Sequence, residues 1–281
     1  MAFDGERLVP ELPEVETTRL GLLPMLGSSV LKLEVMQTRL RLPVPESLSA
    51  IEGQRLDTLT RRGKYLLLGT AKGSALIHLG MSGSLRLTAN TEPYRKHDHV
   101  ALVLNNDWSL RFHDPRRFGL FLWLEDEPLN HKLLASLGPE PLTPAFSAEH
   151  LYRLSRTKKQ AIKSFIMDGH VVVGVGNIYA NEALFYAGIH PLTPAKDLSL
   201  TDYQRLYQHI YRILGAAIER GGTTLRDFVN SKGDPGYFQQ ELMVYGREGK
   251  PCMICQQSLQ LVRVNNRSTV YCSHCQPAFS E

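Results

Sequence analysis

From about Leu31 to Leu124, apolar and polar residues alternate with a period near two in short runs: VLKLEVM, KYLLLGT, SALIHLG, GSLRLT, HVALVLNN, LRFHD and FGLFLWL. Turn residues separate the runs at intervals of about ten, which predicts an antiparallel sandwich or barrel. A helix is expected ahead of it. In ELPEVETTRL, Pro13 suits a first helical turn, where its missing N–H costs nothing, and Glu14 and Glu16 suit the positive end of the helix dipole. LGPEPLTPAF, with three prolines, predicts a boundary. Beyond it the period turns helical in AEHLYRLSRTKKQAIKSFIMD, NIYANEALFYAG and LTDYQRLYQHIYRILGAAIERGG, and a cysteine module follows. The pattern predicts an α+β chain: a β-sandwich domain over 10–141, a helical domain over 142–245 and a cysteine module over 246–281. No internal repeat or low-complexity segment interrupts it.

Composition narrows the class. With 281 residues, 43% of them hydrophobic, the chain can bury two cores. No apolar run approaches the roughly 18 residues of a membrane span, and MAFDGERLV carries two acids and no apolar signal core. A cytoplasmic protein is expected, and a monomer. The net charge is only +4, but the excess falls in the second half: residues 1–141 hold 17 Lys+Arg and 17 Asp+Glu, residues 142–281 hold 15 and 11. That asymmetry suits a polyanion partner and a solvated basic face equally.

The cysteines say more. Cys252, Cys255, Cys272 and Cys275 read C-x2-C-x16-C-x2-C. Two tight turns can then offer four thiolates to one tetrahedral Zn2+, with no coordination position left for catalysis, so a structural zinc is expected over disulfides or free thiols. Between the pairs, LQLVRVNNRSTVY predicts a hairpin, with Asn265 and Asn266 tolerating positive φ in a two-residue turn and Arg267 at the tip.

Other stretches admit two readings each. VVVGVGNIYANE has a dinucleotide-like Gly174-x-Gly176, but Tyr179 stands where that motif has Gly or Ala, and no βαβ series surrounds it. A turn gripping a phosphate with backbone N–H groups, Asn177 and a helix N-terminus fits the residues, as does a purely structural hairpin. Met81 in HLGMSGS, and Arg116 and Phe118 in HDPRRFG, suit either core packing or a wedge that enters a base-pair step and fills the gap left by an extruded base; Arg116 and Phe118 are expected on one face of an extended segment. Lys64, Lys158, Lys159 and Lys163 read as solvated charges or phosphate contacts. His97 and His99 have a metal-like spacing without a third ligand in sequence, so hydrogen bonding or a phosphate-facing role is expected.

Together these stretches resemble the bacterial formamidopyrimidine-DNA glycosylases. PELPEVETTRLGL, RRGKYLLL, HLGMSGSLRL, KHDHV, HDPRRFG, LGPEPL, IKSFIMDGHVVVGVGNIYANEALFYAGIHP, GGTTLRDFVNSKGDPGYFQQELMVYGR and the cysteine module carry the likeness from Pro10 to Gln276. The resemblance implies a β-sandwich opened by a helix, a helix-two-turn-helix domain and a zinc finger, with duplex DNA in the cleft between the halves. It implies removal of 8-oxoguanine and formamidopyrimidines in base excision repair, then β- and δ-elimination at the abasic site. By the same likeness, Pro10 is the nucleophile, Glu11 the general acid/base, Lys64 the donor in β-elimination and Arg267 the donor in δ-elimination. His97, Arg116, Lys158 and Asn177 are implied DNA contacts, with Lys159 a one-residue alternative to Lys158, and Met81, Arg116 and Phe118 fill the void; Lys163, from its place in the basic run, is expected to contact DNA as well. Thr223 to Tyr237 resembles the loop that closes over the flipped purine. The wording favours this branch over the endonuclease VIII type, which acts on oxidised pyrimidines.

One departure is chemical. The nucleophile must be a free amine, and an internal proline is an amide nitrogen with no basic lone pair. Val9 occupies the family's initiator position, and valine is what GUG, also a start codon, encodes internally. Translation from position 9, with the initiator removed, is expected, leaving residues 1–9 as a non-native extension. The alternatives are a propeptide removed by processing or, if Pro10 stays internal, a non-catalytic binder of damaged DNA.

Overall fold

A computed structural model describes residues 9–221 and 242–278. They form two compact units, one mainly of residues up to Ala135 and one of Ser136–Glu219 with the C-terminal residues. The expected boundary after residue 141 lies six residues late, because the backbone of LGPEP is already hydrogen-bonded into the second unit: Gly138 N–H donates to Gly169 O at 2.8 Å and Val173 N–H to Pro139 O at 3.1 Å.

The first unit opens with helix α1 (Leu12–Leu22), which has Pro13 in its first turn. A capping box joins Glu11 and Glu14, with Glu11 N–H donating to Glu14 Oε2 at 3.0 Å. Among the described residues, eight strands follow in this unit: β1 (Val30–Val35), β2 (Thr58–Arg62), β3 (Tyr65–Thr70), β4 (Gly73–His78), β5 (Ser84–Ala89), β6 (Asp98–Leu104), β7 (Trp108–His113) and β8 (Leu120–Leu124). They make two antiparallel sheets, β1-β6-β7-β5 and β2-β3-β4-β8. Leu66, Leu68, Ile77 and Phe121 of one sheet share a buried cluster with Leu87, Val100, Leu102 and Phe112 of the other, and Val15 and Leu22 of α1 join it. The expected sandwich is present. Each such side chain contributes roughly 1.5–3 kcal/mol on burial. The period-two pattern misses β2, whose TLTRR buries only Leu59, yet its ladder with β3 runs over five residue pairs and ends in the two-residue turn Gly63-Lys64.

In the second unit the first helical stretch is two helices, α2 (Ala148–Ser155) and the short α3 (Ile162–Ile166). The backbone between them bonds elsewhere: Ala195 N–H donates to Gln160 O at 2.9 Å, Lys196 N–H to Lys158 O at 3.0 Å and Ile162 N–H to Thr193 O at 2.8 Å. Helices α4 (Asn177–Ala187) and α5 (Leu200–Glu219) follow as expected. Gly188, at φ 67°, closes α4 in the left-handed conformation that favours glycine. Strands β9 (Gln260–Val264) and β10 (Arg267–Tyr271) form the C-terminal hairpin, and Asn265 and Asn266 turn it at φ 49° and 59°, as the sequence predicts. Helix α4 is buried nearly all round because α5 and β10 both pack against it. Residues 1–8 and the stretch Thr223 to Tyr237 lie outside the described residues. Among the described residues, no helix is long and apolar enough to cross a membrane.

Candidate active site

Pro10 and Glu11 are buried at the start of α1, and the capping box fixes Glu11 there. Lys64 is half-buried in the turn between β2 and β3, where Gly63 takes φ 56°. A polar relay connects the two: Glu16 of α1 accepts from Arg61 Nε at 2.8 Å, and Arg61 Nη1 donates to Gly63 O at 3.0 Å. Burial pushes the Glu16 carboxyl up, but the Arg19 and Arg61 guanidiniums beside it outweigh burial and hold it below its ordinary value. The turn bearing Lys64 is thereby registered against the helix that Pro10 opens.

Met81 follows β4 in a tight turn. His78 Nδ1 accepts from Gly80 N–H at 2.9 Å, which requires that nitrogen to be unprotonated. Desolvation, with Lys64 and Arg41 adding positive charge nearby, brings His78 down to about 3, so it stays neutral. Arg116 and Phe118 are exposed, but the segment is a turn and not the expected extended run, because Arg117 adopts φ 58°. The Arg116 guanidinium lies 5.2 Å from the centre of the Phe118 ring.

His97 is half-buried, with its ring edge-on to His113 at 5.8 Å and His99 at 6.1 Å. The fold thus supplies the third histidine that the sequence lacked nearby. The other two rings are engaged, His99 Nε2 with Asp114 O at 2.8 Å and His113 Nδ1 with Asp98 Oδ1 at 2.9 Å. Among the described residues, the four cysteines form the one group placed to hold a metal ion.

The second unit carries the remaining candidates. Lys158 and Lys159 are both exposed, and Asn177 begins α4. Arg267 is exposed beside the Asn265-Asn266 turn. Lys163 requires a correction: its side chain is buried, and its ammonium donates to Ser268 O at 2.8 Å and Thr269 Oγ1 at 2.7 Å. It braces the hairpin from within and is not a surface phosphate contact. The Sγ atoms of Cys252, Cys255, Cys272 and Cys275 all lie within 4.8 Å of one another, with Cys252 and Cys275 at 3.9 Å and Cys255 and Cys272 at 3.4 Å. A tetrahedral zinc with Zn–S bonds near 2.3 Å separates its sulfurs by about 3.8 Å, so the cluster fits the ion.

Three family models match in chain order: the formamidopyrimidine-DNA glycosylase N-terminal domain over residues 9–121, the H2TH domain of the same glycosylases over 137–229, and the zinc finger found in FPG and IleRS over 249–278. The formamidopyrimidine-DNA glycosylase of Methylococcus capsulatus is 56% identical over 270 residues, covering 95% of this chain and 100% of its own. The chain belongs to the formamidopyrimidine-DNA glycosylase family. Among solved structures, the Lactococcus lactis Fpg (MutM) in complex with DNA containing N7-benzyl-Fapy-dG matches with TM-score 0.88 at 33% identity, over 95% of this chain and 100% of that one. MutM in complex with DNA containing carbocyclic 8-oxo-G matches with TM-score 0.87 at 33% identity and the same coverage.

The glycosylase-family zinc finger holds one structural zinc on its four cysteines. What fixes this finger and the segment leading into it to the rest of their unit is a set of buried polar residues that pattern reading missed. Glu182 of α4 accepts the backbone N–H groups of Met243, Val244 and Tyr245 at 2.9, 3.0 and 2.9 Å. Asn181 Oδ1 accepts from Val270 N–H at 2.9 Å, and Gln276 Nε2 donates to Ile189 O at 2.8 Å. Desolvation raises the Glu182 carboxyl even against those three N–H groups. A clue was available in NIYANEALF, where Asn and Glu sit side by side in an otherwise apolar helix.

Proposed function

We propose that the protein is a base excision repair glycosylase that removes oxidised purines, 8-oxoguanine and formamidopyrimidines, from duplex DNA and then cleaves the strand as an abasic-site lyase. The observation that carries this reading is the family match running from residue 9 to residue 278 through all three domains. The similar structures bound to Fapy-dG and 8-oxo-G DNA support the substrate class.

The chemistry follows from Pro10 as a free secondary amine. An amino terminus has a pKa near 7.7–8.0, so roughly a tenth is free base at pH 7, against a few in ten thousand for an ordinary lysine. The ring nitrogen attacks the anomeric carbon, the bond to the damaged base breaks, and the base leaves with a proton. Glu11, adjacent in sequence, passes a proton to the sugar oxygen as its ring opens. The resulting iminium is charged without protonation and draws electrons from the sugar. Loss of a 2′ proton then expels the 3′ phosphate with Lys64 as donor, and a second elimination expels the 5′ phosphate with Arg267 as donor. His97, Arg116, Lys158 and Asn177 hold phosphates, while Met81, Arg116 and Phe118 occupy the place of the everted base.

An amide nitrogen at position 10 performs none of these steps, so the mechanism requires a chain whose first residue is Pro10. The family match starting at Val9 supports that start. Protein beginning at Pro10 should nick an 8-oxoguanine duplex and leave phosphate on both flanking ends; Pro10→Gly should bind and nick far more slowly. Binding without any excision by the Pro10-initiated protein would leave a damaged-DNA binder and end the enzyme reading.

A further inference from the structure

The two turns that carry Met81 and the Arg116–Phe118 pair belong to different parts of the chain, yet one buried carboxylate reaches both. Asp114 is fully buried. Its Oδ1 accepts from Ser82 Oγ at 2.7 Å and its Oδ2 from Gly119 N–H at 2.8 Å. Ser82 Oγ in turn accepts from Arg116 N–H at 3.1 Å. The residue after Met81 is therefore bonded to the start of the second turn and, through Asp114, to its end. The Asp114 backbone reaches further: its N–H donates to His97 O at 2.9 Å, and its carbonyl accepts from Arg117 N–H at 3.2 Å.

The approach of the turns is as close as backbone allows. A Cβ added at Gly80, which sits at φ 68°, would collide with Phe118 C and Gly119 N, and one at Gly119 would lie 2.8 Å from His78 O and 3.0 Å from Asp114 Oδ2. Arg117 holds a left-handed φ without being glycine, a conformation that persists where surrounding bonds fix it. Burying a carboxylate is costly unless its oxygens are hydrogen-bonded. Here its oxygens bond to the two turns and to no strand ladder.

We propose that Asp114, acting through Ser82, is a positioning residue that locks Met81, Arg116 and Phe118 into one register, and that this register sets how fast a damaged base leaves the stack. The inference rests on the wedge role given to those three residues above. A wedge acts only if its parts enter the base step together, and an error of about 1 Å in such a constellation can slow a step a hundredfold.

The test needs no covalent chemistry and uses the full chain. Base eversion is followed by stopped-flow fluorescence of 2-aminopurine placed beside 8-oxoguanine in a duplex, and affinity is measured in parallel for a duplex with a tetrahydrofuran abasic analogue, where no base must leave. Ser82→Ala should slow eversion roughly tenfold or more, with a much smaller loss of abasic affinity. Ser82→Thr, which keeps the hydroxyl, should restore the rate, and Asp114→Asn should also slow it. Met81→Ala reports on the wedge itself. If Met81→Ala slows eversion and Ser82→Ala does not, the clamp is refuted and the wedge stands. If Met81→Ala has no effect, the wedge reading fails and takes the clamp with it. Loss of abasic affinity in Ser82→Ala equal to its loss of eversion rate would reduce Asp114 to a folding residue and also overturn the proposal.

Discussion

Replacing Glu182 by Ala should detach the zinc finger from α4 while leaving the first unit intact. The carboxylate is 2% exposed and accepts three backbone N–H groups, from Met243, Val244 and Tyr245. A buried N–H left without an acceptor costs roughly 1–3 kcal/mol, so three set a ceiling near 9 kcal/mol. Water entering the vacated space recovers part of this, and removal of a desolvated charge recovers more, which leaves an expected loss of about 3–5 kcal/mol. The choice of probe matters, because both tryptophans, Trp108 and Trp123, lie in the first unit. Tryptophan fluorescence should keep its urea midpoint. Far-UV circular dichroism, weighted towards the helices of the second unit, should show a separate transition at lower urea, and zinc should pass to a chromogenic chelator at least tenfold faster, about 1.4 kcal/mol of the loss read as a rate. A chelation rate and a dichroism curve indistinguishable from wild type would refute the claim that Glu182 anchors the finger.

Cys255→Ser should lose zinc and weaken binding to lesion duplex, because metal binding supplies much of a small zinc module's folding energy; metal analysis with a gel-shift assay measures both, and full affinity without zinc would contradict it. His78 is held neutral at about 3 in the folded chain against an ordinary 6.5, so its contribution to stability is complete above about pH 6.5 and declines as pH falls towards 3. Between pH 7 and 5 urea titration should therefore show a loss of about 1–2 kcal/mol that His78→Gln abolishes, and an equal slope in that variant would remove the assignment. Affinity for DNA should fall linearly in log–log against salt, with a slope near −0.9 per phosphate contacted, and Lys158→Ala should reduce that slope by about one; an unchanged slope would move the contact to Lys159.

Elements whose reasons are local were legible in the sequence. Helix α1 announces itself through Pro13 and its acids, the C-terminal hairpin through Asn265-Asn266, and the zinc finger through the spacing of four cysteines. What was not legible depends on partners distant in sequence. The break between α2 and α3 arises because residues 158–162 pair their backbone with residues 193–196, and no local signal in RTKKQ outweighs the helical period around it. Lys163 resembled its exposed neighbours until Ser268 and Thr269 were seen to receive its ammonium. The Asp114 carboxylate, beside the exposed Arg116, Arg117 and Phe118, is bonded by Ser82, 32 positions earlier. The candidate site divides the same way: residue types and likeness point to Pro10, Glu11, Lys64 and Arg267, whereas the bonds that hold the Lys64 turn and the hairpin beside Arg267 came from the fold.

The central claim is that residue 10 acts as a free secondary amine, and reductive trapping tests it most directly. Protein beginning at Pro10 is mixed with an 8-oxoguanine duplex and borohydride, and the adduct is mapped by peptide mass spectrometry. The account predicts a DNA adduct of the intact Pro10-initiated chain on the Pro10 peptide, and none with the chain that keeps residues 1–9. Trapping by the extended chain at equal yield, or an adduct on any other residue, would contradict it.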